Sequence, residues 1–182
     1  PDGQGTDLTA LTEQALHREV ALVTQEHHVF ACTLADNLRI ARADATDAEI
    51  AHALDVVGAS VWAQALSNGL DTLVGNGGVV LDPGQAQQVA LARIVLMDPA
   101  TLILDEATSL LDPGSARSAE RALDAVLAGR TVIAIAHRLD TAAAADRVAV
   151  VIDGRIVERG SHDELVAAGG EYTRLWEAWT SA

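Results

Sequence analysis

Residues 101–112 read TLILDEATSLLD, and this stretch decides the fold. Leu102, Ile103 and Leu104 run without polar alternation, the pattern of a strand covered on both faces in a parallel sheet. Asp105 and Glu106 follow at once, at the carboxyl end of the strand, where open α/β sheets place their ligands. Working outward, residues 131–136 (TVIAIA) predict a second buried strand with His137 at its end. Val20–Val23 reads as a further short strand, with Gln25 just past it. Strands interleaved with helical patterns predict an α/β domain.

The totals narrow the function. With 182 residues and 49% hydrophobic content, the chain is long and apolar enough for one globular domain with a real core. Aromatics are only 3%, so that core is built from Val, Leu, Ile and Ala. The net charge is −14 and no basic stripe occurs, which argues against a nucleic-acid partner. All 12 basic residues are Arg, and there is no Lys. A single cysteine, Cys32, excludes an internal disulfide and reads as a small apolar residue. The first residues are polar and acidic, so no signal peptide is expected, and no apolar run approaches the ~20 residues of a membrane span. A chain that starts at Pro1 with its one Met at position 97 reads as a piece of a longer protein.

The remaining elements follow from local signals. Residues 12–18 have a helical pattern. Residues 33–97 read as a run of helices with no intervening strand. Thr33 caps a helix through Ile40, Thr46 and Glu49 form a capping box, and Ser60 caps a third helix that ends near Asn68-Gly69. Gly75, Gly77 and Gly78 mark a flexible loop. LDPGQAQQ, residues 81–88, opens a helix that VALARIVLM continues until Asp98-Pro99. Pro113 starts an amphipathic helix over 114–128, with Leu123, Val126 and Leu127 inward and Gly129 at its end. Asp153-Gly154 predicts a hairpin, Ser161 with Glu164 another capping box, and two short closing helices place Trp176 and Trp179 on the core.

Gln25, LDPGQ, LILDEATSLLD and AIAHRLDT, in this order and spacing, resemble the nucleotide-binding domain of ABC ATPases. The stretch from HRLDTAAAADRV to GRIVERGSHDEL resembles the exporter type, and the resemblance covers nearly the whole chain. It implies a partial P-loop NTPase core with a mainly parallel sheet and an inserted helical subdomain. Residues 1–32 would be a core remnant with the Q-loop, 33–97 the helical subdomain ending in the signature helix, and 98–182 the core with Walker B, D-loop, switch histidine and C-terminal helices. The implied cofactors are ATP and Mg²⁺. Asp105 resembles the Walker B acid, whose carboxylate suits a hard cation. Glu106 resembles the general base that polarises the attacking water. His137 resembles the switch histidine at the terminal phosphate. Gln25 resembles the Q-loop residue that senses Mg²⁺ and links the site to the transmembrane domain. Ser109 to Asp112 resembles the D-loop at the dimer interface, and Asp82, Gly84 and Gln85 fall in the signature.

Two departures qualify the resemblance. Phosphates need a Gly-rich cradle with a Lys, spaced GxxxxGK[ST], and a chain without Lys does not contain one. The family places that loop upstream, so this chain by itself is expected neither to bind ATP tightly nor to hydrolyse it. The family signature LSGGQ is LDPGQ here, with Asp82 for Ser and Pro83 removing one N–H. Two like charges ~4 Å apart repel by roughly 4 kcal/mol at an effective dielectric of about 20. Asp is also a favoured N-cap and Pro suits the first helical position, so the change makes a good helix start from an anion site. The preceding GNGG also departs from the exporter pattern, which bears on its contact with the transmembrane domain. The expected parent is an exporter at the cytoplasmic face of the cell membrane, whose ATPase domains form a heterodimer with one degenerate site. The alternatives are a catalytically silent regulatory ABC fragment and, further off, a soluble DNA-acting ABC ATPase. The cargo is not readable, because transmembrane segments recognise it.

Overall fold

The computed structural model describes residues 7–24, 27–105, 121–136 and 139–181. They form two compact units, residues 1–134 and 135–182.

In the first unit, α1 (Glu13–Glu19) is capped by Thr12 and runs straight into β1 (Val20–Val23). β4 (Thr101–Asp105) lies parallel to β1 with Val23 opposite Leu104, so both strands end together. The sheet order is β1-β4-β5, where β5 is Thr131–Ile135. Leu102 is fully buried at its centre. The expectation of a second covered strand fails at β5, where every residue is exposed and Ile133 and Ile135 are each about half open. β5 is an edge of the three strands, and the hydrophobic cluster reaches β1, β4 and α6 (residues 121–127) but not β5. An apolar run is buried only where helices cover both faces.

The helices α2 (Leu34–Arg39), α3 (Asp47–Val56), α4 (Ser60–Ala65) and α5 (Pro83–Met97) pack around Leu38, Ile50, Leu54, Val57, Val89 and Leu91. Thr33 caps α2, and Thr46 with Glu49 forms the expected capping box on α3. Three local expectations are corrected. Ser60 is not a cap: its hydroxyl donates to Asp55, Ala59 precedes the helix, and α4 ends at Ala65. A strand does interrupt the helical run, since β3 (Leu73–Val74) pairs antiparallel with β2 (Cys32–Thr33). The glycine loop is packed, because a Cβ on Gly75 or Gly78 would strike the backbone of Phe30 or Leu73. In α6, Leu123 and Val126 face inward, and Gly129 follows it at φ 77°. Pro113 and residues 114–120 lie outside the described residues.

The second unit holds α7 (Leu139–Ala143), the hairpin β6 (Val148–Ile152) and β7 (Arg155–Gly160), α8 (His162–Ala168) and α9 (Glu171–Thr180). The hairpin turns on Asp153 and Gly154, both at positive φ, the dihedrals of a type I′ turn. Ser161 and Glu164 form the expected capping box. Tyr172, not a tryptophan, is the buried aromatic here; Trp176 stacks against it and Trp179 is 44% exposed. Tyr172 wins because its hydroxyl is satisfied by His162 Nδ1 at 2.8 Å. No helix among the described residues is long and apolar enough to cross a membrane.

Candidate functional site

Two strand ends lie side by side where the site is expected. β1 and β4 stop in register, which sets Thr24 and Asp105 at neighbouring strand tips. Asp105 is exposed there. Gln25, Glu106, Ser109, Asp112 and His137 lie outside the described residues.

The start of α5 is fully drawn. Asp82 Oδ1 accepts the Gln85 N–H at 2.8 Å, and Gln85 Oε1 accepts the Asp82 N–H at 3.0 Å. Asp82 is the N-cap, Pro83 occupies the first turn and Gly84 sits between the two capping partners. This reciprocal capping box satisfies donors that a helix start otherwise offers to an anion.

Beside the strand tips lies a cleft of about 210 Å³, walled by Leu22 and Val23 of β1, His27, and Gln87, Leu91 and Ile94 of α5. Burial keeps the His27 imidazole below the ordinary histidine value, favouring the neutral ring. Gln87 is 5% exposed, and its amide oxygen is buried without a hydrogen-bond partner among the described residues. The adjacent Gln88 is engaged at both ends: it accepts from Trp62 Nε1 at 2.8 Å and donates to the Val57 carbonyl at 2.9 Å.

The two ends differ in what they fit. Asp105 offers an exposed carboxylate at a strand tip, the donor type that Mg²⁺ takes. The Asp82–Gln85 box offers a carboxylate and occupied donors, which do not fit a phosphate.

Comparison with known proteins agrees with this geometry. The ABC transporter family model matches residues 2–109. The chain belongs to the ABC transporter family. Over 172 residues it is 46% identical to an ATP-dependent lipid A-core flippase of Sodalis glossinidius, covering 94% of this chain and 30% of that protein. It is 45% identical over 176 residues to a multidrug efflux ATP-binding/permease protein of Mycobacterium bovis, covering 97% of this chain and 15% of that protein. A solved structure of a bacterial Atm1-family ABC exporter with ATP bound superimposes with TM-score 0.75 at 34% identity, covering 96% of this chain and 30% of that one. The chain thus spans about a third or less of the length of these relatives. Its fold is that of an ABC ATPase, and its relatives are exporters.

Sequence reasoning missed several residues of this ABC region. Arg93, Asn37 and Gln88 join segments far apart in the chain. The available signal was a lone arginine inside the apolar helical run VALARIVLM, where a cation needs partners.

Proposed function

We propose that this chain is part of the ATP-binding and hydrolysing domain of an ABC exporter, working against a transmembrane domain at the cytoplasmic face of the membrane. The observation that carries the reading is the common end of β1 and β4, which supports a site at the tips bearing Gln25, Asp105 and Glu106. Asp105 would hold Mg²⁺, which neutralises phosphate charge when bound. Glu106 would take a proton from the attacking water, His137 would steady the terminal phosphate, and Ser109 and Asp112 would face the second ATPase domain.

The Asp82–Gln85 box supports the finer reading of a degenerate signature. A site completed by this helix start binds phosphate weakly, so the partner domain differs from this one and supplies the competent signature. The same box is the observation that favours a silent regulatory role. Mg-ATP titration separates the readings. This chain alone is expected to give no saturable binding, because it has no Lys for a phosphate cradle. The full-length protein is expected to bind and turn over ATP. Absence of both in the full-length protein overturns the ATPase reading in favour of the silent one.

A further inference from the structure

Arg93 projects from α5, the helix that begins at Asp82 to Gln85, and its guanidinium reaches back to the segment that follows Gln25. Nε donates to the Asn37 carbonyl at 2.8 Å, Nη1 to the His28 carbonyl at 2.8 Å, and Nη2 to Asn37 Oδ1 at 2.9 Å. The Phe30 ring lies 5.6 Å from the guanidinium carbon. Asn37, fully buried, extends the grip: Oδ1 accepts the Phe30 N–H at 2.9 Å, and Nδ2 donates to the Phe30 and Thr33 carbonyls, each at 3.0 Å.

Residues 27–31 belong to no helix or strand, so their polar backbone groups need partners elsewhere. Arg93 and Asn37 supply those of His28 and Phe30. The acceptors are two backbone carbonyls, the Asn37 amide oxygen and an aromatic face, not a carboxylate, so the arginine grips backbone as well as side chain. A planar fork with several donors meets three acceptors at once; an ammonium on a flexible stem does not. The gripped segment follows Gln25 in the chain, and the helix that carries Arg93 begins at the signature residues.

We propose that Arg93 is the positioning residue that makes the signature helix and the segment after Gln25 move as one body, so that a shift at either is transmitted to the other; this rests on the ATPase reading above. It acts through the backbone of His28 and Asn37 and through α5, the helix that carries it.

Hydrogen exchange on this chain tests the grip. In Arg93→Lys the Phe30 amide is expected to exchange about tenfold faster or more while α5 amides keep their protection. Unchanged Phe30 exchange overturns the proposal. Steady-state kinetics of the full-length protein test the role, with kcat expressed per nucleotide site counted by a fluorescent ATP analogue. Arg93→Lys is expected to lower kcat per site by about fivefold or more, with KM for ATP within about twofold. A merely structural role lowers the number of sites and leaves kcat per site unchanged, which overturns the proposal. If Arg93→Lys does not fold, Phe30→Leu keeps the hydrogen bonds and removes the ring; a fall of about twofold in kcat per site supports the role, and no fall overturns it. A wild-type protein that binds no ATP defeats the ATPase reading itself, an outcome distinct from a constant kcat per site.

Discussion

Asp82 is the position where stability and function separate most cleanly. Asp82→Ala removes the carboxylate that accepts the Gln85 N–H at 2.8 Å and leaves that donor to water. Loss of an N-cap costs about 1 kcal/mol, within a range of roughly 0.5–2, whereas Ser is as good a cap as Asp. Asp82→Ser therefore keeps wild-type stability, and Asp82→Ala lowers the melting temperature by about 2–4 °C in a chain of this size. Trp62 is the probe, since its indole donates to Gln88 on the same helix, measured with Trp176 and Trp179 replaced by Phe. In the full-length protein the order changes: Asp82→Ser removes a negative charge from beside the expected phosphate. The in-contact repulsion of roughly 4 kcal/mol at a dielectric of about 20 shrinks at an exposed residue. A gain of about tenfold in ATP affinity at the facing site, about 1.4 kcal/mol, is the expected outcome. Equal melting of Asp82→Ala and wild type refutes the cap, and unchanged affinity in Asp82→Ser refutes the charge argument.

Other tests use neighbouring residues with opposite expectations. Gln87→Leu removes a buried acceptor with no partner among the described residues and is expected to be neutral or to stabilise by up to about 1 kcal/mol, while Gln88→Leu strands the Trp62 N–H and Val57 carbonyl and costs about 1–3 kcal/mol; urea unfolding reads both. Gly170→Ala forces a Cβ into the Glu158 carboxylate, which caps α9 through the Glu171 and Tyr172 N–H groups at 2.7 and 3.0 Å. Loss of that cap costs about 1–2 kcal/mol and should appear as earlier melting by Trp176 fluorescence. Glu49 and Glu164 are held below the ordinary glutamate value of 4.5, first by the backbone N–H and then by the hydroxyl of Thr46 and Ser161. The unfolded chain takes up these protons at higher pH than the folded one, so the caps stabilise fully above 4.5 and are lost as pH falls through the lower folded values. A Glu49→Gln, Glu164→Gln double variant should show a shallower acid loss of stability; an unchanged acid limb contradicts this.

What was legible in the sequence was what a few adjacent residues encode. Thr46 with Glu49, Ser161 with Glu164, Asp153-Gly154 and the Asp98 stop all lie within one turn of the element they govern, and all appear in the structure. Val20–Val23 and the strand ending at Asp105 were legible as strands from their apolar runs, and the structure pairs them in parallel. What was not legible depends on distant partners. Arg93 meets acceptors 56 and 65 residues away, and Gln88 meets Val57 31 residues away. β5 carries the composition of a covered strand but lies at an exposed edge, because composition states a need for cover and not its supply. Of the expected site, the sequence pattern supplied Asp82 as cap and Asp105 as strand tip, while the reciprocal use of Gln85 needed coordinates.

The most direct test is ATP turnover of the full-length protein carrying Glu106→Gln. A general base is worth about 10²–10⁴-fold in rate, so turnover should fall by that factor while Mg-ATP binding persists. Undiminished turnover contradicts the assignment of this strand tip as the hydrolytic site.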